Sequence, residues 1–246
     1  NFIYPTPDAV LCRMRGAKLE YSIIKYDGIK IMVFWILGGG RFGSIAARRL
    51  RKKEPDADIT IVDSDPVVVH RLKEKADTVA EDGISFLSRQ LDSNSRPDWI
   101  IATIPVHVAF EWICSTLQDH EVLPHPVPKK LFLLLPNSMR GKKGELYVSQ
   151  ADFLCPDNCP EPFDRCFVTG KPRKIEMYRN LEQLKLPGHR SIVIQSHQLA
   201  PGVGGYTPNT LLNARKKIAE KEGRVLVSTA CRCQGVLQAC EIRKKV

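Results

Sequence analysis

The chain has no apolar run near the ~20 residues that cross a bilayer as a helix, so no membrane span is read in it. Its first residues do not show a basic opening, a long apolar stretch and a small-residue cleavage site in succession, the layout of a secretory leader. Aromatic residues are only 7% of the chain and do not interleave with the basic side chains, so no nucleic-acid module is legible. Acid is in deficit, 27 Asp and Glu against 37 Lys and Arg, and the +10 balance is scattered rather than bunched. Such a surface suits a phosphate-bearing ligand, although most of it reads as a solvated face. Catalytic signatures are missing too. The six histidines form no H-E-x-x-H pair, no Ser-His-Asp order is readable, and no carboxylates pair for acid–base work. Catalytic residues are therefore left unassigned. What remains is a chain of 246 residues, 43% apolar, enough for one large α/β domain or two small ones. Unevenly clustered cysteines make a reducing, cytoplasmic setting the expectation.

The chemistry that is present starts at one stretch. A short apolar run, residues 31–37, meets Gly38-Gly39-Gly40-Arg41-Phe42-Gly43, and a helical pattern follows. About twenty residues beyond Gly43 comes Ile59-Thr60-Ile61-Val62-Asp63, completing the strand–glycine turn–helix–strand–acid layout of a dinucleotide-binding βαβ unit. Gly38 allows a sharp turn out of the strand, Gly40 lets backbone approach a pyrophosphate, and Gly43 lets the helix pack close to the sheet. The helix N-terminus adds free N–H groups and a partial positive charge. Asp63, at the tip of the second strand, can accept hydrogen bonds from ribose hydroxyls.

The rest of the first half repeats the alternation. A helix is expected over 41–53, a strand over 58–63, and a helix begun by Asp65 as N-cap and Pro66 at its first position. A short strand at 78–80 ends in Glu81-Asp82-Gly83, and a helix follows over 84–91. Residues 97–103 read as a strand buried on both faces, then a helix over 106–117 and a fifth strand over 131–135. Alternating strands and helices imply a parallel sheet whose ligand sits at the carboxyl ends of the strands. Those ends are Gly38–Gly43, Asp63-Ser64, Glu81-Asp82 and Thr103–Pro105. The fold class expected is α/β, a doubly wound, mostly parallel Rossmann-like sheet.

The glycine turn followed by Val62-Asp63-Ser64-Asp65-Pro66 resembles the nucleotide-binding domain of potassium-transport regulators, the TrkA-N or RCK type, over about residues 32–120. Those domains often carry G-x-G-R-x-G and an acidic D-x-D pair. The resemblance implies NAD(H) binding that gates a membrane partner, in a protein that works as a homo-oligomer. By position it carries the pyrophosphate contact to Gly38, Gly40, Arg41 and Gly43, with Phe42 inside the turn, and the adenosine ribose contact to Asp63. Ser64, Asp82 and Thr103, at neighbouring strand ends, complete the candidate cofactor set. The family often has Gly-Asp-Ala after its third strand, where this chain has Glu81-Asp82-Gly83. A carboxylate at Asp63 disfavours a 2′-phosphate and hence NADP.

Two parts lie outside the resemblance. Residues 1–31 read as an upstream extension not belonging to the fold, before a nucleotide-binding domain over 32–136. Residues 137–246 read as a C-terminal α/β extension carrying a cysteine-rich loop. In it a strand at 190–196, a glycine-rich loop, a helix opened by Thr207-Pro208 and a strand at 224–228 make a second βαβ block that extends the first sheet. His197 stands at a strand end there, as a base, a ligand or simply a surface group. Of eight cysteines, six follow residue 150. Cys155-x3-Cys159, with prolines after each, then Cys166, then Cys231-Arg232-Cys233, approach the spacing of thiolate sites for zinc or an iron–sulfur cluster. Free, partly buried thiols are the alternative. Three functions stay open at this level: an NAD(H)-binding regulatory or redox-sensing protein with a transporter or redox partner, an NAD-dependent oxidoreductase with a cysteine-held metal, and a structural, zinc-stapled interaction protein with a vestigial nucleotide cleft.

Overall fold

The computed structural model describes residues 31–91 and 96–245. The extension read over 1–31, Cys12 with it, lies outside the described residues except for Ile31. The first half builds β1 (Val33–Leu37), α1 (Arg41–Lys53), β2 (Asp58–Asp63), α2 (Pro66–Leu72), β3 (Asp77–Ala80), α3 (Gly83–Gln90), β4 (Trp99–Ala102) and α4 (Val108–Thr116). Its strands form a parallel sheet in the order β3-β2-β1-β4. Leu37 stands beside Val62 on one side and Ala102 on the other, which brings three carboxyl ends level. β1 and the middle of β2 are buried because both faces are covered: Phe34, Ile36, Ile59 and Ile61 face α1's side, and Trp35, Leu37 and Val62 that of α3 and α4, with Thr60 the one buried polar residue of β2. Helix α1 carries no acid in its first turn and Arg51, Lys52 and Lys53 in its last, so the charges complement the helix dipole only at its C-terminus.

The second half builds β5 (His120–His125), α5 (Leu131–Leu134), β6 (Met139–Arg140), β7 (Leu146–Ser149), α6 (Met177–Glu182), β8 (His189–Gln195), β9 (His197–Ala200), β10 (Val203–Gly205), α7 (Pro208–Ala219), β11 (Gly223–Ala230) and β12 (Gln234–Lys244). The β8–α7–β11 unit is present and parallel, but it does not lengthen the first sheet. It enters a second, six-stranded sheet in which β12 runs antiparallel to β11, β7 and β5. The glycine-rich stretch after His197 is a β9–β10 hairpin, tied to the free edge of β4 by a pair of backbone hydrogen bonds between Ile100 and Tyr206.

One expected strand is a helix. Residues 131–135 fold as the short turn α5, because Leu131 and Leu135, four apart, are the buried pair while Leu133 is 88% exposed. That is helical spacing, and five apolar residues in a row, Leu131 to Leu135, conceal it. The strand that follows α4 is instead β5, carrying His120, Pro124 and His125 and pairing in the second sheet.

The two sheets share a core. Trp35, Leu37, Phe86 and Ile100 from the first pack with Phe110, Trp112 and Ile113 of α4, and these in turn with Ile194, Leu211, Val225, Val227 and Ile242 of the second block.

Candidate functional site

The glycine turn takes its shape from three contacts. Gly38 has φ +106°, a conformation side chains avoid, and a Cβ there would stand 2.8 Å from Thr103 Oγ1. Thr103 is thus a structural neighbour of the turn: its hydroxyl lies 2.9 Å from both the Leu37 and Gly38 carbonyl oxygens. Gly43 presses α1 onto the turn so closely that a Cβ would meet the Gly38 oxygen at 1.8 Å. At Gly40, by contrast, a Cβ would meet nothing within 4 Å, and no side chain caps α1 there. The start of α1 therefore faces open space with uncapped N–H groups, the arrangement an anionic phosphate fits.

Asp63 closes the turn from the side. Its Oδ2 accepts the Gly39 N–H at 2.7 Å and its Oδ1 the Asp65 N–H at 2.9 Å. Each oxygen keeps a lone pair for a ribose hydroxyl. Asp65 in turn caps α2 through the Val67 N–H, as expected of Asp65-Pro66. Asp63, Ser64 and Asp82 line one cavity of about 370 Å³ at the carboxyl ends of β2 and β3. Val62, Ile84, Ile104 and Val106 supply its apolar wall. An apolar slot with a carboxylate at its mouth suits a purine base with its ribose. Asp82 also caps α3, accepting the Ser85 N–H at 2.8 Å, so the Glu81-Asp82-Gly83 departure keeps an acid in place at this rim.

Phe42 is brought to the turn but not into the cavity. It is 57% exposed, with the Arg41 guanidinium 5.5 Å from its ring centre. Two residues of the cavity were not legible from spacing: Glu111 of α4, and Lys143, which reaches over from the turn between β6 and β7. Lys143 sits in a basic, glycine-spaced stretch that reads as plain loop, and only the second sheet's placement brings it here. A separate hollow of about 460 Å³ between the end of α4 and α7 holds none of the expected site residues.

The cysteines are drawn to one end of the second sheet but do not make the expected ligand set. Among the described residues no group of three or more His, Cys, Asp or Glu side chains is placed to hold a metal ion. Local partners engage the sulfurs instead. Cys159 Sγ accepts the Glu161 N–H, and Cys231 Sγ the N–H groups of Cys233 and Gln234, each at 3.4 Å. Cys166 accepts from the Thr169 hydroxyl and backbone, which lowers its pKa. Cys233 lies 3.1 Å from Arg173 Nη2, but burial still raises its pKa. Burial and the nearby Glu161 push Cys231 up to about 12, and burial, then Cys159 and Cys166, raise Cys155. Cys114 and Cys240 are thiols of the shared core, raised by burial. His197 is exposed, edge-on to Trp99 at 5.6 Å, and lines neither cavity.

The cysteine loop nevertheless reaches the glycine turn. Arg41 Nη2, at the first turn of α1, donates to Asp157 Oδ2 at 3.2 Å. Asp157 lies between Cys155 and Cys159.

Comparison with known proteins agrees with this geometry. Residues 34–123 match the TrkA-N domain, a family whose members generally bind NAD(H). Residues 109–243 match a family described as "Uncharacterized protein, C-terminal domain". An uncharacterized protein of Archaeoglobus fulgidus is 30% identical over 218 residues, covering 83% of this chain and 97% of that protein. No solved structure matches the chain. No helix among the described residues is long and apolar enough to cross a membrane.

Proposed function

We propose that this chain, which belongs to the family of the Archaeoglobus fulgidus protein and carries a TrkA-N domain over residues 34–123, is an NAD(H)-binding regulatory protein. The observation that carries the reading is the pairing of an uncapped helix start, open in front of Gly40, with an adjoining cavity rimmed by Asp63 and Asp82. The first takes a pyrophosphate and the second an adenosine. Gly38, Gly40, Arg41 and Gly43 would surround the phosphates, with Phe42 and Thr103 shaping the turn. Asp63 and Ser64 would face the ribose and Asp82 the base. The state of the nucleotide would then be passed to a partner, a membrane transporter or a redox protein, from a homo-oligomer in the cytoplasm. The nucleotide-binding unit is 32–136 and the regulatory extension 137–246 in this reading. Isothermal titration with NADH tests it. Asp63→Ala removes the ribose acceptor and should weaken NADH at least tenfold; unchanged affinity takes Asp63 out of the role, and a wild-type chain that binds no NADH ends the reading.

A second reading, a cysteine-held zinc or iron–sulfur site that would make the protein a redox sensor or an oxidoreductase, is favoured by the N–H and Arg173 donors aimed at sulfur. Such donors favour the thiolate, the form that binds metal, against the burial that raises Cys231 and Cys233. Protein purified without oxygen decides it: a metal-free, colourless preparation excludes both.

A further inference from the structure

Arg41 has two claimants. In the proposed site it meets the pyrophosphate, and in the structure its guanidinium is paired with Asp157, 3.2 Å away. The segment that carries Asp157 is held by its backbone. Arg49 Nη1 donates to the Asp157 carbonyl at 2.6 Å and to the Pro201 carbonyl at 2.8 Å. The Cys159 carbonyl accepts from Gly202 N–H at 2.9 Å and from Gln198 Nε2 at 2.7 Å. Gly202, at φ +66°, lies so near that a Cβ there would stand 1.7 Å from the Asp157 oxygen. Loop 155–159 is thus seated between α1 and the β9–β10 hairpin, with the Asp157 carboxylate turned to Arg41 at the phosphate position and its Oδ1 3.9 Å from Arg49 Nη2.

The pair is an open one. Arg41 is 74% exposed and Asp157 41%, so water already screens the attraction. A pyrophosphate brings two negative charges and several acceptor oxygens, and takes a guanidinium more strongly than one carboxylate does. We infer that Asp157 is an internal competitor for Arg41: it sets the affinity of the site for dinucleotides, and a bound pyrophosphate frees it, loosening the cysteine loop. The inference rests on the NAD(H) reading above. It gives the loop a way to report nucleotide occupancy to whatever docks near Cys155 and Cys159.

Asp157→Asn keeps the backbone anchors and removes the charge. Titration of the full chain with NADH should show the variant binding about threefold to fivefold more tightly, the worth of an exposed pair. In an Arg41→Gln background, where only direct repulsion by the carboxylate is left to relieve, the same substitution should have a smaller effect. NADH should also speed iodoacetamide alkylation of Cys155 and Cys159 in the wild type, read by mass spectrometry, and should leave the already faster rate of Asp157→Asn unchanged. NADH binding that Asp157→Asn leaves unchanged or weakens overturns this inference alone. A wild-type chain that binds no NADH overturns the function proposed above together with it.

Discussion

Replacing Gly43 by alanine sets two physical effects of opposite sign against each other. Within a helix interior alanine is favoured over glycine by up to ~1 kcal/mol, so propensity alone makes Gly43→Ala stabilising. The packing says otherwise. The new Cβ would lie 1.8 Å from the Gly38 oxygen and 2.8 Å from the Gly38 carbonyl carbon, both backbone atoms. Ordinary contact needs about 3.5 Å, so α1 must withdraw by more than an ångström from a turn that Thr103 and Asp63 hold in place. Overpacking of this kind costs ~1–3 kcal/mol, and each turn hydrogen bond lost adds ~1 kcal/mol. With two of those bonds lost, a net loss of about 2–4 kcal/mol remains after the propensity gain. For a chain of this size that lowers the melting temperature by roughly 5–15 °C, measurable by calorimetry or by the shift of a urea midpoint. Gly40→Ala is the control. With nothing within 4 Å of its Cβ, it should leave stability within about 1 kcal/mol and still weaken NADH several-fold, because the added methyl faces the phosphate side. A Gly43→Ala protein as stable as the wild type would refute the close approach of α1 to the turn.

Two further outcomes follow from buried or strained groups elsewhere. His107 is buried beside Thr229, its Nε2 2.9 Å from the hydroxyl, and burial drives its pKa from 6.5 down to about 3, Gln238 opposing only in part. The fold therefore holds it neutral, while the unfolded chain protonates it below about 6.5. Stability should fall as pH drops from about 6.5 toward about 3, by up to ~1.4 kcal/mol per pH unit from this group; urea midpoints of His107→Gln should show a flatter acid slope than the wild type, and equal slopes would exclude the effect. Gly202→Ala would force a Cβ onto the Asp157 oxygen at a φ of +66°, so alkylation of Cys155 and Cys159 should rise several-fold with the main transition only slightly lowered; an unchanged alkylation rate would mean the loop is not seated there.

The glycine turn, Asp63 and the α2 cap were legible because each depends on residues close in the chain, with a spacing that one βαβ unit dictates. The parallel sheet of the first half followed from the same periodicity. The helix at Leu131–Leu134 was not legible, since a run of apolar residues shows no period until burial reveals which of them face inward. The second sheet was hidden for another reason. β12 takes three partners, at 120–125, 146–149 and 223–230, and no local pattern encodes which distant strands meet. Lys143 and Asp157 reach the candidate site only through that long-range assembly, so neither stood out among ordinary surface charges. The cysteine spacing pointed to a metal-ligand set that the described residues do not assemble, because spacing alone does not place sulfurs; Glu161, Thr169 and Arg173, which engage them here, come from the surrounding loops.

All of helix α4 but Val108 falls within both matched regions, the one ending at residue 123 and the one beginning at 109. It is also where the two sheets share their core, with Phe110, Trp112 and Ile113 packed against strands from both sides. A gene fragment ending at 136 would present this helix to water along the whole face that Ile194, Val225 and Val227 now cover. Cutting the chain there would therefore bare apolar core of the first half that the second block now buries.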